Sequence, residues 1–550
     1  MKIRFMALIM ALVMIASALA GCGGSSAPQP PVSNKVAEAV TSNEAEKTEE
    51  PKKDEEIVIT MGTNTAFTDF RPYRGWLVVD RLLTGMYFDR LFHATPNGDF
   101  TPRGADSWEV AEDRMSITFH LSKDAVWTDG HPVTAHDYEF GAIVATTEGN
   151  PATAQFGYHY ATLVGVSDST KFVDGSAPLG VEVIDDYTIK YIFKKPYVEE
   201  LEMTDNVFNF IALPKHLLEN EDPTKYLDWE YWNDPVTNGP LTLESQIPGS
   251  EIVFAKNETY HRGAPKFDKL KVVFMDAGNM TSALMAGDID IAYPSPVYSD
   301  IEMLRGQDGI NIFELDYPTM MRAIFISSKN VPDARVRKAL SMAIDREAAC
   351  AAHGNCSIMS TTIAPNSPYY KEEYQHPYDP EAARALLEEA AADGAFDFDK
   401  TYKLACTAGV GQITANLAQQ YWAEIGVKVE QVLMENTALI NAVNKEHTVD
   451  FGTMNRMHCY NPVAEFNGGS VFKDTFTALK EEYIMAEDEA TKAEVIARWQ
   501  EAWLETPGYI VVGGAHEHYA YSSRVNDGGS IGQESAMLGS FNVWEWNVTP

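Results

Sequence analysis

Apolar and polar residues alternate through "EEIVITMGTN", the pattern of a half-buried strand, and the alternation stops in a polar loop at Thr63, Asn64 and Thr65. From Trp108 to Tyr138 the pattern predicts strand, turn, strand, turn, helix. "MSITFHLS" puts Ile117, Phe119 and Leu121 on one face, "KDAVWTDG" runs into an Asp-Gly turn, and "VTAHDYEFGAIVATT" carries apolar residues at helical spacing. "DDYTIKYIFKKPY", residues 185–197, alternates again, and "NGPLTLESQIPGSEIVFAKNETYHRGAPKFDKLKVVFM" reads as a meander of strands broken at Pro and Gly. "AGNMTSALMAG" is a helix ended by Gly287, before the short strand "DIDIAY". In "PDARVRKALSMAIDREAAC" the residues Val336, Ala339, Leu340, Ala343 and Ile344 share the face of one amphipathic helix. "DPEAARALLEEAAADG" is a second, with Pro in its first turn and Gly394 at its end. "YKLACTA", "ITANLAQQYWAEIG" and "VKVEQVLM" make a strand-helix-strand unit, and "TKAEVIARWQEAWLETPGYIVVGG" a helix and a strand. No internal repeat interrupts the series, so the expected class is α/β, with layers in more than one lobe.

The first residues, "MKIRFMALIMALVMIASALAGC", differ from this pattern. Lys2 and Arg4 precede an uncharged apolar run over 5–19, somewhat short for a spanning helix, which ends in small residues at Cys22. This reads as a secretory signal. "LAGC" resembles the bacterial lipoprotein box, in which Cys22 is diacylated and becomes the new N-terminus; the alternative is an ordinary signal with a chance Cys. More than one acyl chain gives a stable membrane anchor. Residues 23–56 are rich in Gly, Ser, Pro, Glu and Lys and hold no aromatic. They are too polar to offset their ordering entropy and are expected to form a disordered tether.

The body from Ile57 is longer than a single hydrophobic core supports, so two or three lobes are expected. The formal net charge of −36 grows more negative once Lys2 and Arg4 leave with the signal. Such acidity argues against nucleic acid as a partner and keeps the body off anionic lipid. Besides Cys22 there are Cys350, Cys356, Cys406 and Cys459, which allow three disulfide pairings. Cys350 and Cys356 flank the turn in "CAAHGNC" and would close a small loop. With His353 between them they also resemble part of a zinc site, for which no fourth ligand is evident.

One stretch, "WTDGHPVTAHDYEF", crowds Asp129, His131, His136 and Asp137 together. Two carboxylates and two imidazoles could hold a metal or run acid/base chemistry. Their positions favour local structural roles. Asp129-Gly130 is a turn signal, and Asp137 follows the expected N-cap Thr134 by three, as in a capping box. His131 and His136 then fall on a turn and a first helical turn, where solvated histidines are ordinary. The sequence has no G-x-S-x-G elbow and no H-E-x-x-H helix, so a secreted hydrolase is the weaker rival reading.

Taken together, "ITFHLSKDAVWTDGHPVTAHDYEFG", "NGPLTLESQIPGSEIVFAKNETYHRGAP" (with Leu241 where Tyr is usual), "ALMAGDIDIA", "DARVRKALSMAIDRE", "YDPEAARALLEEA" and "WAEIGVKVE" resemble, in order, the extracytoplasmic solute-binding proteins of the bacterial peptide/nickel class. These are receptors of ATP-driven importers. The resemblance implies a two-lobed, periplasmic-binding-protein-like clamshell with an extra subdomain on the first lobe, and no enzyme activity or cofactor. After a signal over 1–21 and a tether over 22–56, lobe I would take 57–105, the extra subdomain 106–210, lobe I again 211–315, lobe II 316–510, and a return to lobe I 511–550. The chain would cross near 313–325 and 507–521. A peptide-like ligand would lie between the lobes and pass, unaltered, to the permease subunits of an ABC importer. The expected setting is the outer face of a cell membrane, with the protein monomeric and held by lipidated Cys22.

The resemblance also implies site residues. In the first lobe they are Asn64, Thr65 and Phe67, with Trp76 a weaker aromatic candidate. In the second lobe the family's "W-x-x-D-Y" stretch, whose Asp meets a peptide ammonium, corresponds to "MNRMHCYNP". Tyr460 and Pro462 match, Arg456 stands near the Trp, His458 or Cys459 replaces the Asp, and Asn455 in the same stretch is a further ligand-binding candidate. Asp316 and Glu465 are substitutes for that charge. Alternatively the solute is not a free-amine peptide, and Arg322 and Arg456 grip a carboxylate. The same fold could also take a metal chelate, with His458 helping, or a sugar or opine-like solute. "HEH" puts His516 and His518 on one strand face, as a metal pair or simply on an edge strand.

Overall fold

The computed structural model describes residues 56–64, 69, 71–74, 78–94, 100–152, 160–170, 172–197, 210–293, 298–457, 473–526 and 541–549. Contacts separate 1–54 from 55–550, and every described residue lies in the second unit. The signal, Cys22 and most of the tether therefore fall outside the described residues.

The main sheet has eleven strands. In spatial order its main path runs Lys428–Leu433, Thr401–Cys406, Phe451–Met457, Ile310–Ile326, Tyr509–Ser522, Ile291–Ala292, Val58–Thr63, Lys269–Phe274, Glu251–Lys256 and Leu241–Ile247. The short strand Cys356–Ser357 pairs with Tyr509–Ser522 off this path. Ile310–Ile326 and Tyr509–Ser522 run antiparallel side by side and carry the sheet from one group of strands to the other. Their pairing slips between Glu314 and Pro318 and again between Pro318 and Met320. A proline cannot donate to a ladder, so an irregularity there is the expected cost of placing one in a paired strand.

Apolar clusters form on both sides of this slip. Ile324, Ile326, Leu340, Leu387, Leu404 and Trp422 pack in one, and Met321, Met359, Trp499, Trp503 and Val511 in another on the opposite face of the sheet. Ile59, Leu270 and Val272 belong to a third, which also takes Trp544 and Trp546 from near the chain's end. A separate four-stranded antiparallel sheet, Ala105–Val110, Ser116–Leu121, Thr188–Ile192 and Val181–Asp185, shares that third cluster through Ile117, Phe119 and Ile189. The predicted one-sided strand is therefore present: Ile117, Phe119 and Leu121 are all buried.

The helices follow the sequence signals with one correction. Pro380–Ala392 begins under Asp379, whose carboxylate accepts from the Ala382 amide. Ala277–Ala286 ends at Gly287, which takes the left-handed conformation (φ 76°) that glycine adopts without strain. The expected single helix around "ARVRKALSMAIDREAAC" is instead two, Ala334–Met342 and Arg346–His353. Asp345 accepts a bond from the Ala348 amide and starts the second. Its buried neighbours Ala343 and Ile344 make the bend part of the core. Helical periodicity concealed a break that an N-cap aspartate marks.

Candidate functional site

Strand direction locates the site. Val58–Thr63 and Ile291–Ala292 are parallel, and Ile291–Ala292 is antiparallel to Tyr509–Ser522, which is antiparallel to Ile310–Ile326. Met61 therefore lies in line with Ile291, Tyr521 and Asn311, and the carboxyl end of the first strand points toward 315–319. From the other side, Phe451–Met457 runs antiparallel to Ile310–Ile326 and ends with Asn455, Arg456 and Met457 opposite Arg322, Met321 and Met320. Thr401–Cys406 and Lys428–Leu433 point the same way as Phe451–Met457. Carboxyl ends of strands from both groups converge on one crossing segment, the place where open α/β sheets bind ligands.

Arg322 stands at this convergence. It is 6% exposed, it sits opposite Asn455 and Gly513, and its Nε has no hydrogen-bond partner among the described residues. Burial lowers its pKa to about 10, so the group is still a cation at neutral pH. Directly paired residues share a sheet face and successive ones alternate. Asn455 therefore lies on Arg322's face, as does Thr453 opposite Ile324. The Thr453 hydroxyl is buried without a partner among the described residues. On this face too is the start of the helix Val410–Glu424, where no side chain caps the amides. A Cβ added to Gly411 would come 3.0 Å from the Thr453 hydroxyl, so the glycine keeps backbone close to that oxygen. His353, electrostatically coupled to Arg322, is driven down to about 3 by burial and then by that cation. It is neutral and hydrogen-bonded to Thr414 in the same helix at 3.2 Å. A buried guanidinium, a buried hydroxyl and a helix N-terminus on one face form an environment suited to an anion.

The structure corrects the expectation that Arg322 and Arg456 act as one clamp. Arg456 pairs with Met321, so it belongs to the opposite face, where its guanidinium lies 5.4 Å from the rings of both Phe325 and Tyr509. A single carboxylate cannot meet both arginines. Asn64 is half-buried at the end of the first strand, and Asp316 is exposed on the crossing segment. Thr65, Phe67, Trp76, His458, Cys459, Tyr460 and Glu465 lie outside the described residues.

"HEH" is corrected as well. The strand that carries it is flanked on both sides, by Ile310–Ile326 and by the short strands Ile291–Ala292 and Cys356–Ser357, so it is no edge. His516 bridges these elements. Its Nδ1 lies 3.0 Å from the Leu315 carbonyl, which requires an N–H there, and its Nε2 then accepts from the Ser357 hydroxyl at 2.7 Å. His518 makes an edge contact with Tyr298. The residue between them, passed over in the sequence, is the more informative. Glu517 is 8% exposed, accepts from Tyr519 Oη at 2.7 Å, and adds to the burial that raises the pKa of Tyr293 and to the burial and the Asp316 charge that raise that of Tyr317. It places a buried carboxyl group on the strand paired with Ile310–Ile326.

Cys350 and Cys356 are joined as a disulfide with Cα atoms 5.0 Å apart. Their sulfurs lie against Gly513, where an added Cβ would come 2.7 and 2.6 Å from them. Among the described residues they and His353 form no metal-capable group. In the other candidate stretch, Asp137 has the structural role expected of it. It accepts from the Thr134 amide at 2.8 Å and also from the Lys215 amide at 2.9 Å. Asp129 has an additional partner that local spacing could not reveal. His216, from the short helix Lys215–Leu218, brings Nε2 to 2.7 Å from Asp129 Oδ2.

A family model for bacterial extracellular solute-binding proteins, family 5 Middle, matches residues 99–475. The chain belongs to that family. Its members are binding proteins and not enzymes. The periplasmic murein peptide-binding protein MppA of Escherichia coli is 29% identical over 269 residues, 47% of each chain. The dipeptide-binding protein of the same organism is 25% identical over 358 residues, 61% of this chain and 63% of its own. The chain spans about half the length of the first curated relatives it matches. Solved structures align over more. NikZ from Campylobacter jejuni, in complex with Ni(L-His), has a TM-score of 0.72 at 19% identity, covering 89% of this chain and 99% of its own. DppA from Helicobacter pylori, in complex with the peptide STSA, has a TM-score of 0.73 at 16% identity, covering 90% and 99%. These likenesses establish the fold as that of the two-lobed periplasmic binding proteins.

Proposed function

We propose that this family 5 protein is a membrane-anchored extracytoplasmic receptor for a carboxylate-bearing, peptide-like solute, which it delivers to an ABC-type import permease. The observation that carries the reading is Arg322, a buried cation with no acidic partner among the described residues, at the convergence of the strand ends. Retaining such a charge is costly unless a counter-ion arrives with the ligand. The solute's carboxylate would meet Arg322 beside Asn455 and the first turn of Val410–Glu424. Glu517, on the neighbouring crossing strand, is a candidate for the positive end that the missing family Asp would otherwise hold. Lobe II would then begin near residue 316 and end near 510, a division with which the register slip at Pro318 is consistent. Closure would stabilise the complex by no more than the solute's preference for the closed form. Lipidation at Cys22 would hold the receptor at the membrane through the tether.

The test is titration of ligand-free protein with matched peptides bearing a free or an amidated C-terminus. The free acid should bind at least about tenfold tighter, consistent with loss of a charge-assisted bond worth roughly 1.5–3 kcal/mol. R322Q should abolish the difference. Equal binding of acid and amide by the unaltered protein would refute the assignment. Mass spectrometry of the released peptide should return it uncleaved.

A further inference from the structure

A second constellation lies away from the crossing strands in the sequence. Asp129 and His131 belong to the turn before the helix Ala135–Thr146, and His216 to Lys215–Leu218. One ligand-type atom from each of the three lies within 4.8 Å of the other two. Asp129 Oδ1 is 3.2 Å from His131 Nδ1, and Asp129 Oδ2 is 2.7 Å from His216 Nε2. The two imidazoles are stacked, centroids 4.2 Å apart and planes 27° from parallel. The turn itself fixes the carboxylate, because Oδ1 accepts from the His131 amide at 3.1 Å.

We propose that Asp129, His131 and His216 form a surface site for a divalent transition cation of the zinc type. A hydrogen bond from His216 accounts for one contact of Asp129. His131 Nδ1 makes a second such contact with the other carboxylate oxygen, so that with their ring nitrogens unprotonated the same three groups present three donors to one cation. Ligand atoms at about 2.0–2.1 Å from a tetrahedral zinc are about 3.3 Å apart. The two separations, 3.2 Å and 2.7 Å, run to different oxygens of Asp129, so a small rotation of the exposed carboxylate would be needed to set one oxygen about 3.3 Å from both nitrogens. Imidazole with carboxylate selects zinc, nickel, cobalt or copper over magnesium and calcium. Three protein donors leave further positions open to water or an incoming group. The bound ion would tie the 129–131 turn to a helix some eighty residues further along the chain. His136, five residues from His131, is outside the set. Its nitrogens lie 3.7 and 3.8 Å from Glu139 and Asp186.

The test uses the whole secreted protein after chelator treatment. Zinc is titrated calorimetrically, and cobalt by its visible absorption, into the unaltered chain and into H131Q, H216Q and H136Q. Expected are one tight site per chain, a weakening of at least about tenfold in both H131Q and H216Q, and no change in H136Q. The cobalt bands should also be lost in the first two. His131 is exposed, so H131Q keeps the test valid even where H216Q disturbs folding. Zinc affinity and cobalt spectrum unchanged in H131Q, or no binding by the unaltered chain at submillimolar metal, would overturn the proposal.

Discussion

An unpaired buried guanidinium at Arg322 is expected to make the ligand-free protein less stable than an uncharged side chain there would. The perturbation is Arg322→Met, which keeps a long, flexible side chain of similar reach and removes the charge. Burial lowers the guanidinium's pKa to about 10, against about 12.5 for an unperturbed one. At about 1.4 kcal/mol per pKa unit the charged form is disfavoured by about 3 kcal/mol in the folded state. A guanidinium end still reached by water lowers the net gain to roughly 1–3 kcal/mol. Because the cation is the disfavoured form, the gain is full at neutral pH and fades only above about pH 10. For a body of roughly 500 residues, unfolding entropy near 2.1 cal/mol/K per residue converts this to a Tm rise of about 1–3 °C. Calorimetry of ligand-free protein measures it, and the same variant should lose solute binding. A fall in Tm of similar size would show that Arg322 stabilises the empty fold, and the counter-ion reasoning would fail.

Other predictions follow from single contacts. Gly513→Ala drives a methyl group into the two sulfurs of the Cys350–Cys356 pair and should cost about 1–3 kcal/mol in urea denaturation; an unchanged midpoint would contradict that packing. His353 and His376 are pushed down by burial to about 3 and about 4. Their folded values lie below an unfolded value near 6.5, so the unfolded chain takes up protons first as pH falls. Stability should drop below about pH 6.5 by about 1.4 kcal/mol per unit for each ring. His353→Gln should flatten that slope in denaturation at stepped pH, and an unaltered slope would show that the ring does not titrate as inferred.

Much of the local fold was legible in the sequence because its signals are short-range. Alternation placed Ile117, Phe119 and Leu121 on one face, and Asp379 and Gly287 marked helix ends where they act. What was not legible depends on pairing between distant segments. Arg322 and Arg456 look equivalent in the sequence, yet the register of Ile310–Ile326 with Phe451–Met457 turns them to opposite faces. Nothing near His516 and His518 in the sequence says that other strands pair with the far side of theirs, so local pattern alone leaves a metal pair or an edge strand open. His216 is 87 residues from Asp129, so local spacing could not join them. The N-cap Asp345 was readable, and helical periodicity across it hid the signal.

The central claim is that two halves shut on an intact, carboxylate-bearing guest held by Arg322. Small-angle scattering of ligand-free protein, with and without the guest recovered by native mass spectrometry, tests it most directly. Expected are a smaller radius of gyration on adding guest to the unaltered chain, no contraction in R322M, and a guest of unchanged mass. Identical scattering profiles in both states of the unaltered chain, despite saturating binding, would contradict it.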